Sequence, residues 1–283
     1  MKNLIISLEA TCDLTKDLIK KYNLNVLDME FMVGEDIFST KEDDVVSSNL
    51  YERMRQGEKT STSQINQALY EEYFENLLKS GEHILHLAFS SGLSCTCHSA
   101  SKAAETLNEK YGKKIYVIDT LAACSGHGLL AIATRKFTEE AKTIEEVVDF
   151  VEKAKLKVRH IFTVDNLKYL ASGGRLKTSS AVIGTLLNIK PVMQTDAEGK
   201  LVVESKVISR KRALLALFNK MKADYDRKEK MCFISHSDCI EDANFLKEKI
   251  EAELGLEPII TNLGPIIGSH SGPGTLAMFY MEE

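Results

Sequence analysis

Apolar and polar positions follow two rhythms along the chain. Nearly uninterrupted apolar runs at 3–8, 26–33, 83–89 and 114–118 end in turn residues, as strands covered on both faces do. Between them, apolar side chains recur three and four apart, predicting helices over 14–22, 68–79, 94–111 and 126–141. Asp13 stands where the first helix needs an N-cap, and Ser47 or Ser48 caps a helix that stops at Gly57. Gly81 and Gly112 terminate two more. Thr143 to Glu146 forms a capping box that opens a helix running to about 158. Four strand–helix units in succession predict a mainly parallel sheet with helices on both faces.

The rhythm changes after residue 159. Strands are expected at 159–164, 191–194, 201–208, 231–235, 258–262 and 276–281, with a hairpin turn at 196–199. Helices are expected at 166–171, 180–188, 210–224 and 240–254. The fold class is therefore α/β with two domains. Residues 1–159 form an N-terminal α/β domain, and 160–283 a C-terminal mixed-sheet α+β sandwich.

Composition narrows the function. The 283 residues are 44% hydrophobic and 27% charged, which is globular and not disordered. A net charge of −5 lacks the basic footprint of a general nucleic-acid binder. No apolar run reaches the roughly 18 residues needed for membrane insertion, and residues 1–14 read as a first strand. Six cysteines are too few for a secreted disulfide scaffold, so a cytoplasmic protein is expected.

Three loops gather hydroxyls and glycine after apolar strands: Thr60 to Gln64, Ser90 to Ser94, and Gly264 to Gly274. Ligands of open α/β sheets sit beyond the carboxyl ends of strands. Ser94, at a helix start, favours an anion. Thr62, Ser94 and His270 together offer two hydroxyls and an imidazole, a set suited to one carboxylate or phosphate. The same Ser94 and His270 would be nucleophile and base in a stand-alone acyl hydrolase, although Gly-x-Ser-x-Gly is missing at that turn. Cys95, Cys97, His98, Cys124 and His127 do not follow the usual zinc spacing, so no metal is expected. A dinucleotide enzyme would need glycines after the first strand, and residues 7–14 contain none.

Further motifs follow in order: Ser90-Ser91-Gly92-Leu93-Ser94 with His98-Ser99-Ala100, Val117-Ile118-Asp119, Leu167-Lys168-Tyr169-Leu170, Gly173-Gly174-Arg175-Leu176, Ser209-Arg210-Lys211-Arg212-Ala213, and Gly268-Ser269-His270-Ser271-Gly272-Pro273-Gly274. With Thr62-Ser63-Gln64 and Leu187 to Pro191, they resemble the DegV family of bacterial fatty-acid-binding proteins over nearly the whole chain. The resemblance implies one bound long-chain fatty acid such as palmitate, with its tail in the N-terminal domain and its carboxylate on Thr62, Ser94 and His270. It implies no catalytic residue and no cofactor. It further implies a partner, an ATP-dependent kinase subunit resembling dihydroxyacetone kinases, to which the lipid is presented for acyl phosphate formation. Ser63, Arg175, Arg210 and Arg212 are secondary or docking candidates. His270 would tune its hold on the carboxylate near neutral pH. The chain departs from the family pattern at Glu9-Ala10, Cys95, Cys97-His98 and Ile208.

Overall fold

The two central strands of the N-terminal half, Leu4–Glu9 and His83–Ala88, are buried along nearly their whole length because helices cover both of their faces. The computed structural model describes residues 3–81, 83–176 and 189–283. In chain order its first part comprises β1 (Leu4–Glu9), α1 (Lys16–Lys21), β2 (Leu24–Leu27), β3 (Glu30–Val33), β4 (Asp36–Ser39), α2 (Glu42–Ser47), α3 (Leu50–Arg55), β5 (Thr60–Thr62), α4 (Gln67–Leu78), β6 (His83–Ala88), α5 (Thr96–Tyr111), β7 (Ile115–Asp119), α6 (Cys124–Phe137) and α7 (Ile144–Ala154). The second part comprises β8 (Val158–Thr163), α8 (Lys168–Ser172), β9 (Ile189–Thr195), β10 (Leu201–Ile208), α9 (Arg210–Asp224), β11 (Phe233–His236), α10 (Ile240–Leu254), β12 (Ile259–Asn262), α11 (Pro265–Ser271) and β13 (Leu276–Met281).

Strands β2-β1-β6-β7 form a fully parallel sheet. Alternate residues divide its two faces, as the strand period requires. Ile5, Ile84 and Ile115 pack against Ala100 and Leu107 of α5 and Phe74 of α4. Leu4, Ile6, Leu8, Leu85 and Leu87 pack with Leu129 and Leu130 of α6. The second sheet runs β10-β9-β8-β13-β11-β12 and is mixed: β11 and β12 pair parallel, the rest antiparallel. Ile161, Ile234 and Met278 face α9 and α10, while Phe162, Phe233 and Phe279 belong to the core that holds α6.

Helix α6 thus lies between the two sheets and is bonded to both. The Ser125 hydroxyl sits 2.9 Å from Ser235 and 3.0 Å from Thr261 on the second sheet. The His127 Nε2–H donates to the Leu87 carbonyl of the first at 2.7 Å. Gly126 permits the approach, since a Cβ there would lie 2.3 Å from His160 Nε2.

The structure departs from the sequence expectation at several elements, beginning with the first helix, which Thr15 caps in place of Asp13. The run 26–33 is split between β2 and β3, which enter different sheets; at the break the Met29 amide donates to Thr40 Oγ1, whose hydroxyl donates to Asp28. β3 joins β4 and β5 in a small antiparallel sheet, and β5 is the segment read as a hydroxyl loop. The glycine-rich stretch after Leu263 is helix α11: Pro265 sits in its first turn, where no amide is needed, and Gly272 ends it at φ +80°. The helix expected at 180–188 lies outside the described residues. Among the described residues, no helix is long and apolar enough to cross a membrane.

Candidate functional site

The small sheet exists to seat α11. Thr60 and Thr62 are two residues apart on β5 and so share a face. Thr60 Oγ1 donates to the Ser269 carbonyl at 2.7 Å, and Thr62 Oγ1 lies 2.8 Å from His270 Nε2. Tyr51 adds a bond to the Leu263 carbonyl at 2.6 Å. On its other side His270 rests on Gly173, where a Cβ would meet Nδ1 at 2.5 Å, so the ring fits only over glycine.

This pair stands at the polar end of a cavity of about 410 Å³, within the usual range for small-molecule pockets. Thr62, Ser63, Ser94, Arg175 and His270 all line it. Its apolar wall combines Met29 and Phe89 with Phe162, Leu201, Ala277 and Phe279 of the second sheet, so both halves of the chain contribute to it.

The rim is ordered by its own hydrogen bonds. Ser94 Oγ accepts the Thr96 amide proton at 3.2 Å and lies 2.8 Å from the Thr96 hydroxyl. Helix α5 therefore opens at Thr96 with Cys95 as N-cap, two residues later than expected. Ser94 is not hydrogen-bonded to His270, so the nucleophile–base pair of a hydrolase is not assembled. Arg175 donates to the Leu93 carbonyl at 3.2 Å and the Gly173 carbonyl at 2.5 Å, tying the two rim loops together. Arg210 and Arg212 lie on α9, outside the cavity, and Arg210 pairs with Asp242 at 2.8 Å.

Burial, reinforced by the Arg175 charge, pushes the His270 imidazole down to about 4. In the free site it is therefore neutral at pH 7, and its own titration lies in the acid range, not near neutrality as the sequence suggested. His127 spends Nε2 on Leu87 and sits 3.4 Å from Thr11 Oγ1 through Nδ1, which removes it from the tentative zinc set. Among the described residues no three His, Cys, Asp or Glu side chains converge on a metal position.

Below the rim lies a residue that sequence reasoning marked only as a departure. Glu9 is fully buried; it accepts from the Tyr70 hydroxyl at 2.6 Å, from His86 Nε2 at 3.2 Å and from the Phe89 amide at 3.0 Å. Burial alone would raise its pKa, but the charge and hydrogen bond of His86, with His127 and Tyr70, hold it at about 2. Glu9 thus fixes the base of the strand–loop junction that carries Ser90 to Ser94.

With this geometry in hand, the relatives are informative. The family model described as "Uncharacterised protein, DegV family COG1307" matches residues 3–283. The chain belongs to the DegV family. A DegV domain-containing protein of Clostridium perfringens is 38% identical over 287 residues, spanning 100% of this chain and 99% of the relative. Another, from Lactococcus lactis, is 36% identical and covers 97% of this chain and 96% of its own. Among solved structures, a fatty-acid-binding DegV protein from Thermus thermophilus superposes with a TM-score of 0.88 at 25% identity, covering 99% of this chain and 100% of that one. A fatty-acid-binding DegV protein from Streptococcus agalactiae does so with a TM-score of 0.84 at 26% identity, covering 99% of each. The DegV chain therefore has the two-domain α/β fold of proteins that bind fatty acids.

Proposed function

We propose that this DegV protein binds one long-chain fatty acid and presents its carboxylate at the cavity rim. The observation that carries the reading is the Thr62–His270 contact at the polar end of a largely apolar cavity. A carboxylate there takes hydrogen bonds from Thr62, Ser94 and His270, with Arg175 as a nearby cation. The tail lies against Phe162, Ala277 and Phe279, at the join of the two halves. Burying a sixteen-carbon tail contributes up to about 12 kcal/mol before ordering costs. The head group need only orient the lipid.

The chain carries out no chemistry on the lipid in this reading. Ser63, Ser91 and Cys95 are exposed at the rim, so the carboxylate end meets solvent and a partner. That partner is an ATP-dependent kinase subunit of the dihydroxyacetone-kinase type, which forms the acyl phosphate. Arg210 and Arg212 are the docking candidates.

Mass spectrometry of an organic extract from freshly purified protein tests the carrier reading. A stoichiometric fatty acid is expected; an empty extract, repeated after incubation with mixed free fatty acids, refutes it. Thr62→Val and His270→Phe are each expected to weaken binding roughly 10- to 100-fold, the weight of a hydrogen bond to a charged group. Wild-type affinity in both variants refutes the head-group assignment.

A further inference from the structure

Among the polar positions of the cavity wall that the carboxylate site does not use, His160 and Thr195 form one pair. Strand register brings Leu201, Thr195, His160 and Phe279 into a single cross-strand row: Leu201 opposes Thr195, Phe279 opposes His160, and the Ile161–Gln194 pairing sets His160 beside Thr195. All four line the cavity. The next lining row, Phe162 with Ala277, is apolar. His160 lies three residues before the end of β8, about 10 Å back along the strand from the side where α8 and Gly173 meet His270. A fatty acid anchored at His270 passes this row with the middle of its chain.

The hydrogen bonding there is asymmetric. His160 is 4% exposed, and its Nε2 accepts the Ala123 amide proton at 3.1 Å. The proton of the neutral ring is therefore on Nδ1, which donates to Thr195 Oγ1 at 3.4 Å. Burial keeps the ring neutral by pushing its pKa down to about 4. Thr195 Oγ1 is thus an acceptor toward His160, and its own O–H has no acceptor among the described residues. Thr195 is half-buried at the cavity wall, so a saturated methylene chain covering it strips its water and supplies no acceptor, which is costly.

We propose that the cavity selects acyl chains bearing a hydroxyl within the chain, and that the Thr195 O–H is the donor that recognises it. This rests on the fatty-acid reading and specifies its substrate class. Phe162, Phe279 and Leu201 enclose the chain on either side, so an acceptor oxygen is matched only at one window of chain positions.

The test is displacement of a fluorescent fatty acid by stearic acid and by hydroxystearic acids substituted at successive carbons. In the wild-type protein and in Thr195→Ser, isomers within one window are expected to bind roughly 2- to 10-fold tighter than stearic acid, the effect of one net hydrogen bond. In Thr195→Val, which keeps the side-chain shape, that ratio is expected to fall to one or below. Stearic acid binding as tightly as every isomer overturns this inference and leaves the carrier reading intact. So does a preference that survives in Thr195→Val. Failure of stearic acid and every isomer to bind overturns both.

Discussion

Replacing Glu9 by glutamine tests how the cavity loop is held. Glu9 Oε1 accepts from Tyr70 and His86, and Oε2 accepts from the Phe89 amide. A glutamine has one acceptor oxygen, so its NH₂ must face either the Phe89 N–H or the Tyr70–His86 pair, donor against donor. One unsatisfied buried donor and the loss of charge-assisted bonds cost roughly 2–4 kcal/mol. The pKa supplies an independent figure. A fall from 4.5 to about 2 is worth about 3 kcal/mol at 1.36 kcal/mol per unit. Thermal unfolding at pH 7, followed by calorimetry and circular dichroism, should therefore place Glu9→Gln roughly 6–12 °C below wild type. The sign with pH is fixed as well. A carboxyl with a depressed folded pKa contributes stability above its unfolded value and loses it as pH falls through the folded one. The gap should narrow from about 3 kcal/mol at pH 7 to about 1 kcal/mol at pH 3. A gap below about 0.5 kcal/mol at pH 7, or one that is the same at pH 3, refutes the account of Glu9 as an ionised anchor.

Two further expectations concern other buried groups. Both oxygens of Asp13 are buried with no well-formed hydrogen bond among the described residues, and burial pushes its pKa up to about 7, only partly offset by the neighbouring Cys124 thiol and Gly264 backbone. Its protonated form stabilises the fold below the unfolded value of 3.8, and that stability is lost as pH rises through 7. Asp13→Asn also tolerates φ of +48°, so its stability relative to wild type should be greater at pH 8 than at pH 5 in urea titrations; a pH-independent difference contradicts this. Gly126→Ala drives a methyl into the His160 ring and should cost about 1–3 kcal/mol, read as a fall in Tm; an unchanged Tm would show that the contact yields without strain.

How much of this was legible in the sequence differs by element. The strand–helix succession of the first half and the β6–α5 loop were readable because apolar runs and punctuating residues coincide there. Helix α11 was not, since Gly264, Pro265, Gly268 and Gly272 all signal turns, and only packing against β5 and α8 makes the segment helical. β5 escaped for a related reason. Three hydroxyl residues carry no apolar alternation, and their pairing partner Phe31 lies some thirty residues away. Thr62 and His270 were singled out by the loops they occupy, but their contact depends on both hidden elements. His160 could be placed on a strand, yet which face it presents follows from the register of β8, β9 and β13. Glu9 could be noticed only as an unusual residue at a strand end, because its partners Tyr70, His86 and Phe89 are brought there by the fold.

The attachment of α6 to both sheets also bears on how fast the ligand exchanges. Ala123 and Cys124, at the start of this helix, are part of the cavity wall. A hinge that parted the two halves would have to break the bonds of Ser125 to Ser235 and Thr261, or that of His127 to Leu87, and expose the helix's buried surface. Such an opening approaches global unfolding in cost, whereas rim loops open locally for far less. If the proposed ligand binds, its exchange is expected at the rim, where Arg175 ties one loop to the other through the Leu93 carbonyl. On the proposed fatty-acid reading, the residence time of a bound lipid would then be set by a side-chain latch on a fixed frame, and not by motion of one domain against the other.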